Sequence, residues 1–279
     1  MTLTSALLLM LSSFAVCVFL AVVVIVSRLV RNARDATAEK QRVRLRPYVL
    51  HILDEQPPTI VSRRERRALA AIVSEYSGHV RGGDRELLVR WLESIGFDLD
   101  CIARMRSPLP FRRAHALRLF APLAGSHVAV MTTMIADRNP GVRMLAAQIA
   151  GLSGNDAFVP LLLNSIVSSR HKIPVGTVSM AVLRTAPANA TPFASALRSS
   201  DSNSRSLAIE LAGRLTLADA RVPIEDGLRT SDERVRAASL GALERIGSPL
   251  SQQALQNFSA RSDKELALLV RAQESVGGL

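Results

Sequence analysis

The stretch LRTSDERVRAASLGALERIGSPL, Leu228 to Leu250, has a polar start, an apolar stripe at helical spacing and a Gly-Ser-Pro stop, and the chain writes it more than once. Leu228 set beneath Leu197, Ile166 and Ile135 gives a constant step of 31 residues. Eight residues on from each start stand Arg143, Pro174, Arg205 and Arg236, and twelve on stand Ala147, Val178, Ile209 and Leu240. Fourteen on stand Ile149, Met180, Leu211 and Ala242, followed by Ala150, Ala181, Ala212 and Leu243. These spacings place the apolar positions on one helical face. A second apolar cluster recurs at 158–163, 191–197 and 221–228, so each unit reads as two short helices. A unit this small cannot bury its apolar face alone and must stack on its neighbours, which dictates an array. The segment MRSPLPFRRAHALRLFAPLAG, from Met105, is a fifth member one residue out of step.

Composition agrees with an all-α body. Hydrophobic residues make up 48% of the chain and aromatics only 4%, with Leu, Ala, Val and Arg dominant and no long β-branched alternation beyond the first thirty residues. The two cysteines, Cys17 and Cys101, lie too far apart in sequence to suggest a disulfide framework or metal-ligand spacing.

The pattern Asp-x-x-Val-Arg-x-x-Ala, a Gly- or Ser-rich turn and then Val-Pro-Leu/Ile resembles the short HEAT-like repeats named after phycobilisome lyases. Asp232, Val235, Arg236 and Ser239 fit it; Asp201, Ser204, Arg205 and Ala208 fit with Val replaced; Asp137, Val142, Arg143 and Ala146 fit with two extra residues. The resemblance is specific over about Met105 to Phe258 and weaker over Arg63 to Ile95 and Asp263 to Gln273. It implies a right-handed α-solenoid of two-helix repeats whose second helices line a concave surface. It also implies architectural Asp and Arg side chains that bond helix termini and adjacent turns. The i,i+4 spacing of Asp201/Arg205 and Asp232/Arg236 independently suggests structural pairing. Partner contact is the alternative role for Arg143, Arg205 and Arg236. In the Ile166 unit Pro174 replaces the Arg and PVGTV weakens the helix, so either that repeat has decayed or its surface was changed for a partner.

From Leu3 to Val26 no side chain is charged, long enough at 1.5 Å per residue to cross a ~30 Å hydrocarbon core. The N-terminus lacks Lys and Arg, and the run exits into SRLVRNAR with no small-residue cleavage pattern, which favours an uncleaved transmembrane helix over a signal peptide. The exit is basic, with Arg28, Arg31, Arg34, Lys40, Arg42, Arg44 and Arg46, so the positive-inside rule sends the rest of the chain to the cytoplasm. Arg28, Arg31, Arg34, Arg42, Arg44 and Arg46 would also sit close to anionic lipid headgroups. Ser13, Cys17 and Ala21 recur every four residues and form a strip of small side chains that suits contact with another transmembrane helix.

The net charge of +11 is uneven: residues 27–118 carry 19 Lys/Arg against 11 Asp/Glu, and residues 119–279 carry 16 against 13. No aromatic is interleaved among the basic exit residues to stack on bases, which weighs against nucleic acid. His51, His79, His115, His127 and His171 are scattered without following Glu, so no two-metal oxygenase site is spelled out. The GLSG at 151–154 falls short of a nucleophile elbow, and SGHVRGGDRE reads as a linker whose Asp84 caps the next helix. No catalytic residue, cofactor or metal ligand is expected.

The expectation is therefore a cell-membrane protein with a transmembrane anchor at 1–27, a basic juxtamembrane helical linker at 28–60 and a cytoplasmic HEAT-like solenoid at 61–279. It would act as a scaffold or adaptor for a protein partner, itself possible as an integral-membrane protein. The rival readings are a nucleic-acid clamp and, further off, a repeat-built oxygenase or lyase.

Overall fold

The computed structural model of the chain describes residues 18–26, 28, 42–56, 62–168 and 170–260. All regular elements among them are helical. Ala21 lies in an exposed helical run at 18–26, whereas Ser13, Cys17, Arg31 and Arg34 lie outside the described residues. Among the described residues no helix is long and apolar enough to cross a membrane.

The chain divides into two compact units, Met1–Phe97 and Asp98–Leu279. In the first, α1 (Pro47–Leu53) packs on α2 (Arg63–Ser77) and α3 (Gly83–Ser94). Leu69, Ile72 and Val73 of α2 and Leu88 and Leu92 of α3 recur at three- and four-residue steps, and all are buried. Val49 and Ile52 of α1 join them, so part of the expected 28–60 linker is packed helix. Asp84 sits in the first turn of α3 with no capping bond; Gly82, with φ of 67°, is the N-cap instead. Only glycine adopts that conformation without strain, which explains why the turn excluded the expected acidic cap.

The second unit contains five helix pairs, with first helices α4 (Phe97–Met105), α6 (Val128–Ile135), α8 (Phe158–Val167), α10 (Ala194–Leu197) and α12 (Arg221–Gly227). Short 3₁₀ turns at Thr191–Phe193 and Ala218–Ala220 precede the last two. The second helices are α5 (Pro110–Phe120), α7 (Pro140–Ser153), α9 (Val175–Thr185), α11 (Ser202–Arg214) and α13 (Glu233–Ile246). They form a layer, α5 against α7, α7 against α9, α9 against α11 and α11 against α13, while α6, α8 and α10 stack in a second layer. Ile135, Ile166, Leu197 and Leu228, the residues that set the 31-residue step, are all buried at the ends of first helices. The Gly-Ser-Pro stop is realised at Gly247, which closes α13 in the left-handed conformation.

One second helix starts late. Second helices begin at 110, 140, 175, 202 and 233, so α9 starts four residues later than the 31-residue step requires. The register itself holds, since Val178 and Ala181 are buried like Ala147 and Ala150 one step before and Ile209 and Ala212 one step after. Met180 is nevertheless 53% exposed, whereas Ile149, Leu211 and Ala242, its counterparts at the same sequence step, are buried.

Candidate functional site

The chemistry of the second unit is concentrated where each pair turns into its second helix. In α7, Asn139 Oδ1 accepts from the backbone N–H groups of Gly141 and Val142 at 3.0 and 3.3 Å. In α11, Asp201 Oδ2 accepts from Ser204 N–H at 2.8 Å, and in α13 Asp232 Oδ1 accepts from Val235 N–H at 3.1 Å. The N-cap of the α7 unit is thus Asn139, not Asp137, and the two extra residues read from the sequence disappear: Asn139-x-x-Val142-Arg143 matches Asp232-x-x-Val235-Arg236 without a gap. An amide oxygen caps as well as a carboxylate, so a pattern that demanded Asp misplaced the start.

Asp137 has a different place. Two residues before each N-cap a side-chain oxygen accepts the cap's own N–H: Ser107 for Leu109, Asp137 for Asn139, Ser199 for Asp201 and Thr230 for Asp232. Four residues after the cap comes the arginine. Arg113 Nη1 donates to the Ser107 and Pro108 carbonyls, Arg143 Nη1 to those of Asp137 and Arg138, and Arg236 Nη1 to that of Thr230. The guanidinium therefore folds back over the turn and satisfies carbonyls of the connection that follows the first helix. The i,i+4 ion pairs expected from spacing do not form at Asp201/Arg205 or Asp232/Arg236, because both carboxylates turn to the helix N–H groups.

These turns also tie successive pairs together. Arg113 Nε and Nη2 donate to the two Asp137 oxygens, each at 2.8 Å, in a bidentate bridge whose side chains are only 5% and 6% exposed. Burial alone would raise the Asp137 pKa, but these bonds, the Asn139 N–H and the charges of Arg113 and Arg138 outweigh it and hold the carboxyl below its ordinary value. Arg143 Nη2 reaches the Lys172 carbonyl of the following pair at 3.3 Å. The Ser202 hydroxyl, from α11 across the seam, and the Val235 N–H of α13 itself likewise lower the Asp232 pKa.

Close helix contact completes the seams. A Cβ on Gly151 would lie 2.6 Å from the Cα and carbonyl oxygen of Ala181, and one on Gly213 would lie 2.6 Å from the Cα of Ala242. Both sites require glycine because the neighbouring backbone occupies the space of a side chain.

The α9 pair breaks the pattern. Pro174, at the arginine step of the 31-residue count, serves as the N-cap, and the residue four beyond it is Val178, fully buried. The longer connection into α9 forms one wall of a cleft of about 470 Å³, with Ile166, Lys172 and Val175 facing Ser206, Leu207 and Glu210 of α11 and Arg234 of α13.

Of the three arginines singled out in the sequence, Arg143 is buried and bonded to carbonyls, and Arg236 is half-buried with one such bond. Arg205 is half-buried, and its Nε is enclosed without a hydrogen-bond partner. The sequence reading missed Arg113 and Asn139; counting from caps instead of from apolar residues would have found both. Arg42 and Arg44 of the basic stretch pair with Glu75 and Glu65 of α2, the former at 3.3 Å. His79 and His127 each hydrogen-bond a carbonyl at the end of the preceding helix through Nδ1. Cys101 is fully buried, and burial, only partly offset by Arg104 and reinforced by Asp100 and Asp98, pushes its thiol up to about 12. Among the described residues no group of three or more His, Cys, Asp or Glu could hold a metal ion.

Residues 190–274 match the sequence model of a family described as HEAT repeats. The matched segment spans α10 to α13 and runs on past the described residues. No curated protein matches the chain.

Proposed function

We propose that the chain is a membrane-anchored adaptor of the phycobilisome-lyase-type HEAT-like group, whose repeats form a right-handed cytoplasmic solenoid that binds a partner protein. One observation carries the adaptor reading: the buried charged side chains of the second unit, Arg113, Asp137 and Arg143, are bonded to the chain's own turns. Such groups hold helices in register, and the recognition surface is then the exposed face of the stack. HEAT repeats commonly mediate protein interactions, and the match over 190–274 supports that class.

The membrane part rests on the uncharged run from Leu3 to Val26 and the basic exit after it. Arg28 and Arg46 are exposed and suited to anionic headgroups, together with Arg31 and Arg34, while Arg42 and Arg44 already face carboxylates. Ser13, Cys17 and Ala21 supply the helix contact within the bilayer. Among Arg143, Arg205 and Arg236, Arg205 is the best partner contact, because the other two donate their Nη groups to the fold's own carbonyls.

Two measurements test this. A topology reporter fused after Leu279 is active only on the cytoplasmic side; activity on the opposite side overturns the anchor reading. A photoreactive residue at exposed Leu152 or Val222 crosslinks a defined protein in intact membranes, and absence of any protein adduct from either layer rejects the adaptor.

A further inference from the structure

Charge is segregated along the second unit in a way the net charge conceals. Between residues 101 and 200 there are eleven Lys/Arg and two Asp/Glu; from 201 to 279 there are ten and eleven. Of the two acids in the first segment, Asp137 is buried against Arg113. The helices α5, α7 and α9, which pack side by side, contain no acidic residue at all.

Their uncovered faces combine that charge with apolar groups. On α5, Phe111 is 65% exposed, with the Arg112 guanidinium 5.9 Å from its ring centre and Arg118 two turns along the same face. On α7, Met144 and Leu152 stand on the exposed face two turns apart, and on the neighbouring α9 Met180 is exposed. A surface that is apolar at its centre and basic at its edge complements an acidic chain with apolar side chains. Two observations favour such a chain over a nucleic acid. Phe111 is the one Phe, Tyr or Trp exposed on these helices for stacking, and Met144 and Leu152 gain only from an apolar partner. Methionines also adapt to the side chains they meet.

We infer that the shared outer face of α5 and α7 is the docking surface for an acidic amphipathic segment of the partner protein, with Phe111 and Leu152 as apolar anchors and Arg112 and Arg118 as the electrostatic rim. This rests on the adaptor reading and says where on the array, and for what chemistry, it applies.

The test uses the purified full-length chain in nonionic micelles and a fluorescent 18-residue peptide with Glu and Leu at helical spacing. Binding is followed by anisotropy. The Glu/Leu peptide binds and a Lys/Leu counterpart does not. Arg112→Glu with Arg118→Glu, or Phe111→Ser with Leu152→Ser, weakens binding at least tenfold. Arg229→Glu with Arg245→Glu, equally charge-changing but in the α12–α13 part, alters it less than twofold. Circular dichroism confirms that each variant keeps its helices. Equal loss from the Arg229/Arg245 pair, or no binding of the Glu/Leu peptide, overturns the inference. So does displacement of the peptide by a single-stranded oligonucleotide or phosphatidylserine vesicles, which would assign the face to phosphate groups. Crosslinking in intact membranes separates this failure from that of the adaptor reading: adducts from Val222 but not Leu152 retain the adaptor and remove this surface, whereas adducts from neither remove both.

Discussion

Replacing Gly151 by Ala places a methyl group at the α7–α9 seam, where its Cβ would meet the Cα and carbonyl oxygen of Ala181 at 2.6 Å. Carbon atoms pack at about 3.5–4.0 Å, so the two helices must part by about 1 Å or bend. The obstacle is backbone, which cannot turn aside as a flexible side chain would. Overpacking costs about 1–3 kcal/mol at ordinary core sites, and a clash with backbone belongs at the upper end of that range. Against this, Ala is favoured over Gly in a helix interior by about 1 kcal/mol. The expected net loss is about 2 kcal/mol, equivalent to a Tm lowered by about 4–8 °C for a domain of this size. Gly213→Ala should behave alike, since its Cβ would meet Ala242. Gly176→Ala is the control: it is exposed near the start of α9, with nothing within 4 Å of the added Cβ, and should raise stability by up to about 1 kcal/mol. The assay is urea and thermal unfolding of the full chain followed at 222 nm. If Gly151→Ala stabilises the chain as much as Gly176→Ala does, the close-approach reasoning is wrong.

Leu211 is buried between α11 and its neighbours, so Leu211→Asp should cost on the order of 3 kcal/mol or more, while Arg229→Asp at an exposed position changes little; equal melting of the two variants would reject the burial pattern. Asp137→Ala removes one partner of a buried bidentate bridge and should cost about 3–5 kcal/mol in denaturant unfolding at pH 7. Because the folded-state pKa of Asp137 is lowered, its contribution is complete above the unfolded value of about 3.9 and is lost as pH falls through the folded value. Stability of Asp137→Ala should therefore fall less steeply than that of the parent below about pH 4, and parallel acid titrations would refute the assignment. In a Cys17→Ala background, Cys101 should resist maleimide at pH 8 until the chain is unfolded, as expected for a buried thiol whose pKa stands near 12; rapid labelling of the native chain would contradict that burial.

The repeat and its helical nature were legible because both are periodic, and periodicity needs only the identity of residues at fixed steps. Ile135, Ile166, Leu197 and Leu228 could be aligned by eye, and the structure buries each at the end of a first helix. The paired helices of each unit followed from two apolar clusters per step. What sequence could not decide was where one helix's start lies relative to the next once a connection changes length. The longer connection before α9 delayed its start by four residues and made Pro174 a cap, yet left the 31-residue letter pattern readable. Nor could spacing say that Asp201 and Asp232 would bond the N–H groups at the start of their helices instead of the arginine four residues on, since both partners lie within reach in a linear count. That choice belongs to the turn, whose carbonyls draw Arg113, Arg143 and Arg236 back over the preceding helix end. The Arg113–Asp137 bridge and the Gly151–Ala181 contact exist only when two units are already stacked. A linear pattern specifies which faces are apolar; the distance at which those faces meet, and the polar groups that meeting encloses, are properties of the assembled stack.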